Sequence, residues 1–144
     1  MIEQDTIKLL RECDAGIKMG ISSIDDVLKY VHDEKMKKYL TDSMKAHEKL
    51  DDELKELLRE YHDDGKEPST MAKGMSWIKT NVKLMMNESD HTVADLITDG
   101  CNMGVKSLSR YLNQYAAADE SSKDLAKRLI ALEERLAVEL RDFL

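Results

Sequence analysis

The chain has 144 residues, the size of one domain and long enough to bury a proper core. Charged residues make up 35% and aromatic residues 5%, with one Pro and six Gly, which suits a helical protein with a Leu, Ile, Val and Met core and excludes a sandwich or barrel. The net charge of −7, with no basic stripe to offset it, argues against a nucleic-acid partner, and no apolar run is long enough to span a membrane.

The opening MIEQDTIKLL lacks a basic segment followed by an apolar core, so no secretion signal is expected and the cytoplasm is the expected compartment. The first helix is expected over about 5–31, capped by Asp5 or Thr6. Its inward seam is Ile7, Leu10, Asp14, Ile17, Ile21, Ile24, Leu28 and Val31, at spacings of three and four. Asp33 caps a second helix over about 34–62, with the seam Met36, Leu40, Ser43, His47, Leu50, Leu54, Leu57 and Tyr61. Gly65 and Pro68 end it. A crossover at about 63–90 follows, with a short helix over about 70–86 that carries Trp77. The third helix is expected over about 91–117. The fourth is expected over about 121–144, with Ser121 and Asp124 at capping-box spacing.

Two segments occur twice. GIKMGISSI (Gly16–Ile24) returns as GCNMGVKSL (Gly100–Leu108), and HEKLDDELKELL (His47–Leu58) returns as EERLAVELRDFL (Glu133–Leu144). Matched segments in the same order indicate a duplicated helical hairpin. The expected fold is therefore all-α, a four-helix bundle of two similar halves joined by a crossover. Gly16, Gly20, Gly100 and Gly104 each weaken a helix by about 1 kcal/mol relative to Ala, and read as packing notches. Cys13 and Cys101 form no CxxC pair and lie in apolar helical pattern, which predicts buried free thiols.

Polar residues in an apolar seam carry the functional information. Asp14 interrupts the first seam and His47 the second; the repeat carries them to Thr98 and Glu133. The expectation is that all four point inward from four helices at comparable heights. Such a set could hold a divalent metal such as iron, manganese or zinc. The stronger reading is a hydrogen-bonded layer that fixes helix register and binds nothing. A one-residue slip in phase would bring Glu48 or Glu134 inward instead. Glu53 and Glu139, one position off the seam, read as edge or surface carboxylates. His32, His62 and His91 fall near helix ends, where solvated or capping roles are expected.

DAGIKMG (Asp14–Gly20), GMSWIKTNVKLMM (Gly74–Met86) and ITDGCNMGVKSL (Ile97–Leu108) resemble motifs of a bacterial family, the domain of unknown function 2383. With its duplicated hairpin and crossover, the chain resembles the ferritin-like superfamily, in which rubrerythrins and bacterioferritins sit. The resemblance implies a ferritin-like fold. Its active di-iron members carry a Glu on the first and third helices and Glu-x-x-His on the second and fourth. Here the corresponding residues are Asp14, Thr98, His47 and Glu133, and three residues after the last two stand Leu50 and Leu136. Neither Glu-x-x-His motif exists, so a standard di-iron centre is not expected. Three functions remain open. One is a non-enzymatic, stress-related or interaction module, a homodimer among its forms, with a surface around Met71, Met75 and Trp77. A second is a metal-binding bundle using Asp14, His47 and Glu133. The third is a binder of a small apolar ligand.

Overall fold

The computed structural model describes residues 2–66 and 88–144. The expected short helix at about 70–86, and the surface around Met71, Met75 and Trp77, lie outside the described residues. The chain forms α1 (Ile2–Leu28), α2 (Glu34–Glu60), α3 (Asp90–Gln114) and α4 (Glu120–Glu139), closed by a short 3₁₀ turn at Arg141–Phe143. α1 packs on α2 and α3 on α4, as two antiparallel hairpins. α1 also touches α3 and α4, and α2 touches α4. The result is an all-α four-helix bundle. Among the described residues no helix is long and apolar enough to cross a membrane.

Hydrogen bonds at the two ends fix the helix directions. At the base, Asp5 near the start of α1 accepts from the Ala117 amide (3.0 Å) and Thr6 accepts from the Asp119 amide (2.8 Å), both in the α3–α4 turn. Tyr61, just past α2, donates to the Asp119 carboxylate (3.1 Å). At the top, Asp90 in the first turn of α3 accepts from the amides of His32 and Asp33 in the α1–α2 turn (2.7 and 3.0 Å). So α1 and α4 point up, while α2 and α3 point down. Because α2 ends at the base and α3 starts at the top, no short turn can join them.

These contacts also correct the expected start of α1. Asp5 and Thr6 do not cap it; they lie inside the helix, and their side chains serve the backbone of the α3–α4 turn. Asp33 does cap α2, accepting from the Met36 amide. α4 is capped by Asp119, accepting from the Ser122 amide, and not by Ser121. α1 stops at Leu28 and α4 at Glu139, earlier than expected.

The apolar core divides in two. The lower half gathers Leu10, Ile17, Leu54, Leu125 and Leu129, and the upper half Ile24, Met36, Leu40, Val93 and Leu140, all at most 2% exposed. Both cysteines are free and buried, Cys13 in the lower half and Cys101 in the upper. Burial, then the charges of Glu12 and Asp14, push the Cys13 thiol up to about 12.

Asp119 does more than an ordinary cap, since one carboxylate holds both the start of α4 and the end of α2. Asp33→Ala should cost about 1 kcal/mol, the usual value of a cap. Asp119→Ala should cost about 2 kcal/mol, a cap plus one further hydrogen bond. Urea unfolding of the two variants checks this; equal losses would mean that the Tyr61 contact contributes nothing.

Candidate functional site

Between the two core halves lies a layer centred on a polar pair from α2 and α4. His47 of α2 and Glu133 of α4 meet at 2.8 Å, Nε2 to Oε1. His47 is 1% exposed and the Glu133 side chain 12%. The other ring nitrogen, Nδ1, stands 2.8 Å from the Ser43 carbonyl one turn back along α2. A carbonyl oxygen only accepts, so Nδ1 carries a proton and the Nε2–Oε1 contact shares one more. Burial by itself would lower the pKa of His47. The hydrogen bond and charge of Glu133, with the Ser43 carbonyl, outweigh it and raise the pKa above its ordinary value.

Glycines supply the room. A Cβ on Gly20 of α1 would lie 2.8 Å from Nε2 and 2.9 Å from Cδ2 of His47, and 3.6 Å from Glu133 Oε1. The hydrogen bond therefore passes directly over Gly20. Gly104 of α3 faces the other carboxylate oxygen, with 3.5 Å to its Cβ position. Among the described residues the other two glycines are not notches: Gly16 would meet Leu129 at 3.8 Å, and Gly100 meets nothing within 4 Å. Cys101 of α3 is buried beside the same carboxylate. Burial, then the charge and hydrogen bond of that carboxylate, raise the Cys101 pKa, so both of the chain's thiols stay protonated and un-nucleophilic at neutral pH.

The structure thus brings together His47 and Glu133 but not the four residues expected at one height. Asp14 is six residues from Gly20, about 9 Å along α1 towards the base. There it is 1% exposed and engaged by the Lys66 amide (2.9 Å) and the Lys18 ammonium (3.0 Å). Thr98 is six residues from Gly104, but on a helix running the opposite way, so it lies about 9 Å towards the top. Its Oγ1 is buried and has no hydrogen-bond partner among the described residues. Glu48 and Glu134 are exposed. Glu53 is exposed as well, clamped by Arg128 of α4 at 2.9 and 2.5 Å, and Glu139 pairs with Arg135 at 3.7 Å. Among the described residues, no group of three or more His, Cys, Asp or Glu is arranged to hold a metal ion.

The residues that the polar pattern missed are Gly20, Gly104 and Cys101. The first two were marked by the repeat itself, because Gly20 matches Gly104 as His47 matches Glu133. Comparison of the chain with protein-family models, with curated proteins and with solved structures finds no match.

Two expectations follow from this geometry. Gly20→Ala forces a Cβ into the imidazole and should cost about 1–3 kcal/mol, whereas Gly100→Ala enters open space and should gain about 1 kcal/mol of helix propensity. Thermal melts of the two variants should move in opposite directions. The second concerns pH. A histidine whose pKa is raised on folding contributes stability that is full below its unfolded value of about 6.5 and is lost as pH rises through the folded value. In Glu133→Gln the carboxylate that raises it is gone. The stability gap between the wild type and Glu133→Gln should therefore be widest below about pH 6 and narrow as pH rises through the raised folded value. Urea unfolding across that range reads it directly; a constant gap would show that the pair shares no titrating proton.

Proposed function

We propose that the protein is a ferritin-like helical bundle that serves as a non-enzymatic interaction module, its interior layer committed to a structural His–Glu pair where di-iron bundles hold their metal. The up–down–down–up order of the helices supports the ferritin-like reading, since that order needs the lengthwise connection typical of such bundles. The observation that carries the proposal is the saturation of His47. One ring nitrogen is bonded to the Ser43 carbonyl and the other to Glu133, so the imidazole has no lone pair to offer a metal until the pair is broken.

The other helices add to this. At the level of His47 and Glu133, α1 and α3 present Gly20 and Gly104, where di-iron bundles need carboxylates. Leu50 and Leu136 occupy the places of the missing histidines of the Glu-x-x-His motifs. With the interior occupied by packing, the module acts through its acidic surface, on a protein partner or a second copy. Two buried, protonated thiols suit the reducing cytoplasm.

Metal analysis of the purified protein, before and after anaerobic loading with ferrous iron, tests the reading. The expected result is no stoichiometric metal in the wild type, with His47→Ala and Glu133→Ala changing stability only. Near-stoichiometric metal that both variants lose would replace this reading with a metal-binding function.

A further inference from the structure

Asp14 is the buried charge that the central layer does not use, and its surroundings give it a different task. α2 is fully terminated before the chain reaches it. His62 takes a left-handed conformation (φ +54°), and the amides of His62 and Asp63 close onto the carbonyls of Arg59 and Leu58 (both 3.1 Å). The next residues, Asp63, Asp64, Gly65 and Lys66, fold back across α1 as a strap. None of them, nor His62, has an apolar side chain, so burial of hydrocarbon does not hold the strap down.

Polar contacts hold it instead. Arg11 pairs with Asp63 at 3.8 Å and Glu12 with the Lys66 ammonium at 2.5 Å, both partly exposed pairs of the kind that contribute little. The exception is Asp14, 1% exposed, whose Oδ2 accepts from the Lys66 amide. A hydrogen bond from a backbone amide to a buried carboxylate is among the stronger ones available. Gly65, at φ +85°, makes it possible: a Cβ there would fall 2.2 Å from Oδ2 and 3.3 Å from Leu58 Cδ1.

We infer that Asp14 is a latch: it pins the strap at residues 62–66 against α1, and its release opens the strap as a unit while the four helices stay packed. Opening uncovers Asp14 and the Leu58 end of the lower core, and leaves the His47–Glu133 layer closed. It also frees the point at which the connection between the two hairpins begins, so the latch sets where the second half of the chain is tethered to the first.

Amide hydrogen exchange on the full chain tests this, since the Lys66 amide is itself the latched donor. In Asp14→Ala the Lys66 amide should exchange at least tenfold faster, while amides around Leu129 in α4 keep their rates. Gly65→Ala, which keeps the Asp14 carboxylate and changes no helical residue, should do the same and stands in if Asp14→Ala fails to fold. Unchanged exchange at Lys66 in the folded variants would overturn the inference. So would faster exchange at Lys66 matched by an equal increase around Leu129, which would mean that Asp14 supports the whole bundle and latches nothing.

Discussion

One hydrogen bond crosses this bundle from side to side, and the packing on either side of it depends on where it sits. His47 and Glu133 come from different hairpins, and each satisfies the other's inward-facing polar end. A one-residue slip of α2 against α4 would bury an imidazole against hydrocarbon, at the cost of an unsatisfied polar group. The pair therefore holds the two halves in register. The apolar clusters above and below then have a defined boundary between them.

The bond exists only because α1 gives way beneath it. In a helix interior glycine is a poor choice on conformational grounds. At Gly20 that cost is offset by space for the imidazole, which no side chain could share. At Gly100 no neighbour makes the same demand. Identical residues within the repeated segments thus have different physical standing, and only the contacts tell them apart.

The internal duplication has a geometric consequence for any site built from it. α1 and α3 are antiparallel, as are α2 and α4, so matched positions in the two halves lie on opposite sides of the bundle's middle. Only residues close to the middle share a level with their counterparts. His47 meets Glu133, and Gly20 lies near Gly104, because all four sit there. Asp14 and Thr98 are six residues away on antiparallel helices, so they are separated by about 18 Å along the axis. Cys13 and Cys101 are likewise divided, at about 15 Å along the axis, far beyond disulfide reach.

The sequence by itself determined the four helices, the Asp33 cap, the seams that bury Leu10, Ile17, Leu40 and Leu54, and the inward placement of Asp14, His47 and Glu133. These follow from periodicity and local capping, which are properties of short stretches of chain. It also held the clue to the central layer, in the matched Gly20 and Gly104, but periodicity cannot say which matched pairs meet. Only the tertiary structure decided that Asp14 faces the Lys66 amide and not His47, that Asp5 and Thr6 serve a distant turn, and that Asp119, not Ser121, caps α4. Each of these depends on the heights and directions of helices from different parts of the chain. A residue's spacing fixes the face on which it lies, and the packing of antiparallel partners fixes what that face meets.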